Sequence, residues 1–415
     1  MAQLSADADG PVLTIEQAAA RAAEQVTAVA GTEIVPLAAA DGRVLAQDVV
    51  APVALPPFAN SAVDGYAVRF ADLVAAGQTR LPLSGRVAAG ADAAGVATAG
   101  TAVRVFTGAP MPAGADTVFM QEDVALQGDA VILPAGLKRG ANVRLAGEDL
   151  SRGGLALAAG RRLQPQDLAL LAALGLSEVT LRRRVRVAIF STGDELNEPG
   201  TALPPAGIYD ANRSLLRALV SRAGAEVVDL GILADEPESL AARLRAAAAD
   251  CDLILTSGGV SGGEEDHVKA AVEQVGELAF WRVAIKPGRP VAMGRVAGTP
   301  FIGLPGNPVA VFVTFAFVAR IVITLLSGSR PARLCGLPVR LGFSHEKKAG
   351  RREYVRVSLA PGPDGVGTAR KHPRDGAGAL ISLAETDGLI ELADELTSIA
   401  EGTIAPFFAY EMLTG

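Results

Sequence analysis

The sequence predicts a multidomain protein of α/β plus β type, with a central doubly wound α/β domain between β-rich regions. At 415 residues the chain is longer than one hydrophobic core usually organises, so about two to four domains are expected. Strand-length and helix-length apolar runs alternate over residues 185–328, which is typical of a parallel α/β sheet. We therefore expect a helical N-terminal domain at 1–50 and 150–184, an inserted β-rich domain at 51–149, the α/β domain at 185–332 and a C-terminal β domain at 333–415.

The N-terminal part is predicted to start with a helix and then to become β-rich. An alanine-rich run with helical spacing covers residues 14–29, and Thr14 with Gln17 has the spacing of a capping box. Between about Val50 and Asp149, short apolar runs broken by glycine and proline predict strands joined by long loops. A second helix is expected over residues 165–176, closed by Gly175.

Each element of the central domain follows from an apolar run of matching length. Strands are predicted over residues 185–190, 225–233, 252–259 and 278–285, and helices over 213–224, 237–250 and 264–276. In such sheets ligands bind at the carboxyl ends of the strands, so the loops at that edge form the predicted binding region.

A long apolar run and a β-rich tail complete the chain. Residues 309–326 are long enough to cross a membrane, but Arg320 interrupts them. Asn307 and Pro308 form a good N-cap and first-turn pair, so we expect a helix buried in a core or a dimer interface. A hairpin around Asp364 and Gly365 and a final strand over 402–413 are predicted beyond it.

Charge and composition argue against nucleic acid and membranes as partners. The net charge is −7 and aromatic residues make up 4%, whereas phosphate-backbone binding needs a basic excess and single-strand binding needs stacking platforms. Cys251 and Cys335 match no metal or redox spacing and favour a reducing compartment. Because no signal peptide is apparent, a cytoplasmic location is predicted.

Hydroxyl, glycine and carboxylate residues follow the first and third strands of the central domain. Glycines let a backbone approach a phosphate closely, and the helix after such a loop offers free N–H groups. The residues that form this predicted site are Thr192, Gly193, Glu195, Ser257, Gly258, Gly259 and Ser261.

Carboxylates recur at the same predicted sheet edge. Glu195 follows the first strand, Asp235 follows the second and Asp266 lies in the loop after the third. An acid in a first helical turn also simply complements the helix dipole, which is the alternative interpretation for Asp266. Because converging carboxylates repel each other, we expect a hard cation such as Mg²⁺ among these three candidate ligands.

Cations and a rigid turn supply the complementary chemistry. Lys286 and Arg289 flank a Pro-Gly pair after the fourth strand, where a lysine is a reasonable oxyanion ligand. Pro305, Gly306 and Pro308 predict a fixed cup of backbone N–H groups that suits a tetrahedral oxyanion. Walker A, dinucleotide-binding, nucleophile-elbow and histidine metal motifs are absent from the sequence, which disfavours ordinary ATPases, dehydrogenases and serine hydrolases.

The segment NSAVDGYAV, residues 60–68, places an acid and a glycine between apolar neighbours. An Asp-Gly pair between apolar runs is a strong turn signal. The alternative is that Asp64 is a ligand or a general acid or base. The residues alone leave both interpretations open.

Eight segments together point to one family. In order they are FANSAVDGYAV, FTGAPMPAGADTVFMQED, GED, FSTGDEL, YDANR, TSGGVSGGEEDHV, AIKPGRP and GLPGNPV. Jointly they resemble the molybdopterin molybdenumtransferase family, MoeA, whose animal relative is the enzymatic domain of gephyrin. The match runs from about Leu13 to the C-terminus. No single segment identifies the family, but the occurrence of all eight in order is highly specific.

The resemblance implies a molybdenum insertase. Such an enzyme takes adenylylated molybdopterin and molybdate as substrates, inserts molybdenum into the dithiolene and releases AMP, with Mg²⁺ or a similar ion. The resemblance implies that the α/β domain binds molybdopterin and that the N-terminal domain links and dimerises. It further implies a homodimer of elongated subunits, with each active site shared between the α/β domain of one subunit and the NSA-bearing domain of the other. A molybdopterin adenylyltransferase and molybdoenzyme maturation factors are the other partners it suggests.

The resemblance assigns roles by motif. The acids and the lysine of the catalytic set are Asp64, Asp149, Glu195, Asp235, Asp266 and Lys286. The substrate-binding set comprises Thr107, Arg144, Thr192, Gly193, Ser257, Gly258, Gly259, Ser261, Arg282, Arg289, Pro305 and Arg356. Arg356 is implied to line the molybdate pocket from the C-terminal domain.

The sequence departs from the family pattern at several site positions. Ala59 stands where the family has an aspartate, and Ala310 and Ala377 stand where it has serines. Arg282 replaces a lysine, which keeps the charge but changes the donor geometry. Because two serine hydroxyls are missing, the sequence does not determine the anion affinity of the molybdate pocket, and a preference for tungstate is one alternative.

Two other functions remain as alternatives. A molybdopterin adenylyltransferase shares the α/β domain, but its single-domain architecture fits this chain less well. A catalytically impaired pterin-binding scaffold would keep the dimer and lose the chemistry. Arguing against the scaffold is the joint presence of Asp64, Glu195, Asp235, Asp266 and Lys286.

Overall fold

A seven-stranded mixed sheet forms the centre of the protein. The computed structural model describes residues 12–93, 97–259, 267–362 and 365–414. In spatial order the strands are Val12–Leu13, Gly276–Val283, Pro290–Val296, Thr299–Leu304, Leu253–Ser257, Arg186–Thr192 and Glu226–Leu233.

The strand directions agree only in part with the predicted parallel sheet. The last four strands in that order run parallel to one another. Pro290–Val296 runs antiparallel to both Gly276–Val283 and Thr299–Leu304. Two reversals bring Gly276–Val283 back to the direction of those four strands, as predicted for the strand over residues 278–285. The antiparallel strand is Pro290–Val296, which is not among the predicted strands and follows Gly276–Val283 through a short connection without a crossover helix.

Helices cover both faces of the sheet, as expected for a doubly wound domain. Val187, Ile189 and Leu255 pack on one face against helices Ala211–Arg222, Pro308–Thr314 and Arg320–Leu326. Ala188, Phe190 and Ile254 pack on the other face against helices Pro237–Asp250 and His267–Val275. Alternate strand residues thus face opposite layers.

The apolar run predicted to be a buried helix forms part of this core. Pro308–Thr314 continues through a π-helical segment, Phe315–Ala319, into Arg320–Leu326. Among the described residues it alone is long and apolar enough to cross a membrane, and 78% of its most apolar window is buried inside the protein.

The N-terminal helix, Ile15–Gln25, begins with the predicted capping box. Thr14 Oγ1 accepts from Gln17 N at 3.2 Å, and Gln17 Oε1 accepts from Thr14 N at 3.0 Å. The helix ends before residue 29, because Val26 is extended. Ala18 and Ala22 are fully buried in the core that the α/β domain provides.

The β-rich region contains a six-stranded sheet and a short strand pair. The sheet order is Thr117–Met120, Gly65–Val68, Ala102–Val105, Gln78–Val87, Ala130–Pro134 and Ala125–Gln127. Asn60–Ser61 pairs with Val143–Arg144 within this region. The other two pairs, Thr32–Pro36 with Glu178–Arg182 and Val49–Val50 with Leu155–Leu157, lie in the segments predicted as the helical N-terminal domain, which therefore contains strands as well as helices. The predicted second helix is Pro165–Ala173, followed by Gly175 with a φ of 81°.

The C-terminal region closes into a five-stranded barrel. In ring order its strands are Arg352–Ala360, Thr368–Lys371, Leu337–Leu341, Ile404–Ala409 and Gly388–Leu392. The predicted hairpin pairing of the first two is observed, although Asp364 lies outside the described residues. The last strand ends at Ala409 and helix Tyr410–Thr414 follows, so the strand expected to reach residue 413 was too long; Leu413 packs in the α/β core instead.

One short strand connects the barrel to the α/β domain. Ile285–Lys286 pairs in parallel with Arg352 and Glu353 of the barrel. This pairing places Lys286 at the junction of the two domains. Smaller elements near the junction are strand pairs Leu196–Asn197 with Ile208–Tyr209 and His345–Glu346 with Ser398–Ile399, and helix Ile381–Ala384.

Candidate functional site

A cavity of about 330 Å³, here called the junction cavity, lies between the α/β domain and the barrel. The α/β domain contributes a lysine, a Pro-Gly pair and a rigid turn, and the barrel contributes most of the charged groups. The lining includes Lys286, Pro287, Gly288, Pro305, Gly306, Asn307, Ala310, His345, Glu353, Tyr354, Arg356, Lys371, His372, Asp375 and Ala377.

Glu353 is the buried acid of the junction cavity. Its Oε1 accepts from Lys286 Nζ at 2.7 Å and from His345 Nε2 at 3.0 Å. Burial alone would raise the pKa of Glu353, but the hydrogen bonds from Lys286 and His345 outweigh it and lower the pKa below its ordinary value. Glu353 is therefore ionised at neutral pH.

Cations outnumber acids around this cavity. Lys371 Nζ lies 3.2 Å from Asp375 Oδ2 and 3.4 Å from His345 Nδ1. Arg356 is almost fully buried, and its Nη2 donates to the carbonyls of Arg374 and Gly376. Burial lowers the pKa of Arg356, yet a guanidinium stays protonated in proteins. The cavity therefore suits an anion.

A second cavity of about 360 Å³, here called the strand-end cavity, opens at the carboxyl ends of strands Arg186–Thr192 and Leu253–Ser257. Its position is the one predicted for ligands of the α/β domain. It shares Gly306 and Asn307 with the junction cavity. Its lining includes Ser191, Thr192, Glu195, Tyr209, Asp210, Asn212, Ser257, Gly258, Gly306, Asn307, Pro308 and Gly378.

Asn212 ties the walls of the strand-end cavity together. Its Nδ2 donates to Ser257 Oγ at 2.8 Å and to the Gly306 carbonyl at 2.6 Å. Its Oδ1 is buried and has no hydrogen-bond partner among the described residues. Asn212 therefore presents an acceptor that a ligand N–H or O–H can satisfy.

The predicted glycine-rich turn has the backbone geometry that only glycine adopts readily. Gly258 and Gly259 have φ values of 91° and 64°, in the left-handed region. A Cβ on Gly259 would lie 2.4 Å from Val268 Cγ2. The backbone after strand Leu253–Ser257 is thus open to a ligand at Gly258.

Many residues predicted for the α/β site are brought together by these two cavities. Asp235 Oδ1 accepts from Thr192 Oγ1 at 3.0 Å, which places this acid beside the strand-end cavity. A Cβ on Gly193 would lie 2.6 Å from Glu195 Oε2, so glycine leaves room there for this acid. Predicted residues that line a cavity are Thr192, Glu195, Ser257, Gly258, Lys286, Pro305 and Arg356.

Four other predicted residues are placed differently. Ser261 and Asp266 lie outside the described residues. Arg289 is exposed, and Arg282 lies on the strand that pairs with Val12. Neither arginine is among the described residues that line the two cavities.

The predicted residues of the β-rich region form a separate polar group, here called the NSA patch: Asp64, Thr107, Arg144 and Asp149. The backbone N–H and the hydroxyl of Thr107 each donate to Asp64 Oδ1 at 2.8 Å, and these bonds lower the pKa of Asp64. Arg144 Nη2 donates to Asp149 Oδ1 at 2.5 Å, which raises the pKa of Arg144. Within the described parts of the two cavities, no residue of the NSA patch contributes to the lining.

Glycine is required at position 65 for a reason other than the predicted turn. The strands on either side, Asn60–Ser61 and Gly65–Val68, belong to different sheets, so no hairpin forms around Asp64 and Gly65. A Cβ on Gly65 would lie 1.9 Å from the Phe119 carbonyl oxygen. Close approach of the neighbouring strand therefore requires glycine at this position.

Several cavity residues were missed by sequence reasoning. His345 and His372 had been considered only for metal spacing, and no motif marks Glu353 or Lys371. The one available signal was the concentration of titratable residues in KHPRD at the end of a predicted hairpin. Across the described residues, no group of three or more His, Cys, Asp or Glu side chains is arranged to hold a metal ion.

Comparisons with known proteins identify close relatives over the whole chain. Residues 13–175 match the MoeA N-terminal region (domain I and II), residues 188–324 a probable molybdopterin binding domain, and residues 338–409 the MoeA C-terminal region (domain IV). The chain is 38% identical over 403 residues to the molybdopterin molybdenumtransferase of Haemophilus influenzae, covering 95% of this chain and 99% of the relative. It is also 38% identical to molybdopterin molybdenumtransferase 2 of Mycobacterium tuberculosis, covering 89% of this chain and 93% of the relative. A solved MoeA molybdopterin biosynthesis protein from Pyrococcus horikoshii is 29% identical, with a TM-score of 0.81, and the match covers 96% of this chain and 100% of that one.

Proposed function

The chain belongs to the molybdopterin molybdenumtransferase family, and from that premise we propose that it inserts molybdenum from molybdate into adenylylated molybdopterin and releases AMP. The observation that carries this proposal is the shared wall of the two cavities. Gly306 and Asn307 line both the strand-end cavity and the junction cavity. A pterin bound in the strand-end cavity can therefore contact an oxyanion bound in the junction cavity.

The strand-end cavity has the groups that a pterin pyrophosphate needs. The turn at Gly258 exposes backbone, and Ser257 adds a hydroxyl. The unpartnered Oδ1 of Asn212 offers an acceptor for a ligand N–H. Close backbone approach and hydroxyl donors are the usual means of holding phosphates.

The junction cavity has the groups that a tetrahedral dianion needs. Lys286, Lys371 and Arg356 supply positive charge, and the turn at Pro305–Gly306 adds backbone. When molybdenum bonds to the two dithiolene sulfurs, an oxide leaves as water and takes the thiol protons. The cations stabilise the oxyanion and so favour its placement beside the sulfurs.

We propose that Mg²⁺ binds at the edge of the strand-end cavity. Glu195 and Asp235 would hold it, with Asp266 as a third candidate, since carboxylate oxygens are the ligands that Mg²⁺ prefers. The ion would neutralise charge on the pyrophosphate, whose cleavage depends on charge neutralisation. The described residues supply Thr192, which orients Asp235 through its hydroxyl.

We propose that the active enzyme is a homodimer in which the NSA patch completes the partner's site. The patch carries a partly exposed acid, Asp64, and an Arg144–Asp149 pair, yet none of its residues is among the described residues that line the two cavities of the same chain. Mixed dimers of Asp64→Ala and Asp266→Ala chains should regain one intact site and therefore part of the activity that each pure dimer lacks. Absence of recovery would place Asp64 in the site of its own chain.

AMP release from adenylylated molybdopterin tests the function directly. With Mg²⁺ present, AMP release should depend on molybdate. Lys286→Ala should abolish this molybdate-dependent release, whereas Lys348→Ala, at an exposed lysine of the C-terminal region, should leave it unchanged. A tungstate arm measures the oxyanion preference. AMP release that ignores molybdate would refute insertion.

The same preparation separates the alternative functions. Consumption of ATP in the presence of molybdopterin would indicate an adenylyltransferase, and tight pterin binding without turnover would indicate a scaffold. We place the protein in the cytoplasm, between a molybdopterin adenylyltransferase that supplies its substrate and maturation factors that receive its product.

A further inference from the structure

Four side chains in the junction cavity form one hydrogen-bonded row. Lys371 Nζ lies 3.4 Å from His345 Nδ1, and His345 Nε2 lies 3.0 Å from Glu353 Oε1. Lys286 Nζ donates to the same Glu353 oxygen at 2.7 Å. The row therefore begins and ends with an ammonium group, and its two middle members are nearly buried.

The donors and acceptors of the row require one protonation state of His345. An ionised Glu353 only accepts, so His345 Nε2 must carry the proton. Lys371 only donates, so His345 Nδ1 must be bare. The row is thus satisfied by a neutral imidazole in the Nε2–H form, with each ammonium donating inward.

The surroundings make the placement of both lysines important. No serine or threonine is found among the described residues that line the junction cavity, and the Tyr354 hydroxyl donates to Glu391. The donors that line it for an oxyanion are Lys286, Lys371, Arg356, the Asn307 amide and backbone N–H groups. Lysine is a flexible side chain with high rotamer entropy, so fixing its ammonium group in advance favours binding.

We propose that His345 and Glu353 are positioning residues, which hold Lys286 and Lys371 in place and so set the affinity of the junction cavity for a tetrahedral oxyanion. The inference rests on the proposed function for the identity of that oxyanion, molybdate. Asp375 also contacts Lys371, at 3.2 Å, and so retains part of its placement when His345 is replaced. At the other end of the row, the ion pair described for Lys286 is the one with Glu353.

Calorimetric titration of the full chain with molybdate, tungstate or sulfate tests the proposal without turnover. His345→Gln keeps one donor and one acceptor, whereas His345→Leu keeps neither. We expect His345→Leu and Glu353→Gln to weaken molybdate binding roughly 10-fold, the effect of losing a charge-assisted hydrogen bond, and His345→Gln to stay within about 3-fold. Glu226→Gln, at an exposed acid that pairs with Arg186, is the matched control. Wild-type affinity in both His345→Leu and Glu353→Gln would overturn the proposal.

The tautomer of His345 is a second readout, and it is measured on the wild-type protein. The sequence has only three histidines, so the ¹⁵N signals of His345 can be assigned by their loss in His345→Gln. We expect the Nε2–H tautomer in the wild type at neutral pH. An Nδ1–H tautomer would overturn the row.

The AMP assay distinguishes the positioning role of His345 and Glu353 from the proposed molybdenum insertion. In turnover, the positioning variants should raise KM for molybdate and leave kcat at saturating molybdate within about 2-fold. If the wild type releases no AMP but the variants still weaken oxyanion binding, the proposed function fails and the row stands. If AMP release is normal and the variants bind molybdate like the wild type, the row fails and the function stands.

Discussion

Replacing Asn212 with alanine should loosen the wall that the two cavities share. The Asn212 amide donates to Ser257 Oγ at 2.8 Å and to the Gly306 carbonyl at 2.6 Å, and alanine removes both bonds. Each neutral hydrogen bond contributes roughly 1 kcal/mol, so the local cost is about 2 kcal/mol. That cost corresponds to roughly a 30-fold increase in the open population of the segment around Gly306.

Amide hydrogen exchange measured on a peptide that covers residues 304–311 reports this opening. Exchange there should accelerate by about the predicted factor, and binding of both pterin and molybdate should weaken, because Gly306 belongs to both cavities. Gln47→Ala, which removes one long and exposed amide contact to Thr180, is the control. Unchanged exchange in Asn212→Ala, or weakening of only one ligand, would refute the shared wall.

Three further changes follow from single contacts. Gly65→Ala should destabilise the β-rich sheet by roughly 3 kcal/mol, because its Cβ would meet the Phe119 carbonyl oxygen; an unchanged thermal midpoint would contradict this. Thr107→Val should raise the pKa of Asp64 in an NMR titration, since hydrogen bonds from Thr107 lower that pKa. In the wild type, the stabilisation from these hydrogen bonds is fully present above the ordinary pKa of an aspartate and is lost as the pH falls through the lowered pKa of Asp64. Arg352→Met should speed proteolysis within helix Ile15–Gln25, because Arg352 Nη1 donates to Glu16 Oε1 at 2.6 Å; equal cleavage rates would show that this contact does not secure the helix.

Local features of the sequence predicted much of the fold. The capping box at Thr14 and the Asn307–Pro308 start of the long buried helix depend on neighbouring residues only. The antiparallel strand Pro290–Val296 could not be predicted in this way, because an apolar run looks the same in parallel and antiparallel neighbours. The end of the last strand at Ala409 depends on the packing of Leu413 against a distant core.

The two cavities differed in how far the sequence could predict them. The strand-end cavity was predictable through Thr192, Glu195 and Ser257, because the carboxyl ends of parallel strands meet at one edge. The junction cavity depends on the two-residue pairing of Ile285–Lys286 with the barrel, which brings Glu353 beside Lys286. Such a short pairing leaves no periodic signal, so a family resemblance alone pointed to Arg356 there.

The most direct test of the account is the stoichiometry of one reaction. Adenylylated molybdopterin is incubated with the protein, Mg²⁺ and excess molybdate, and the AMP released and the molybdenum bound to the pterin product are both measured. The two-cavity arrangement predicts equal molar amounts in the wild type and loss of both products in Lys286→Ala. AMP that forms at the full rate without molybdenum reaching the pterin would contradict it.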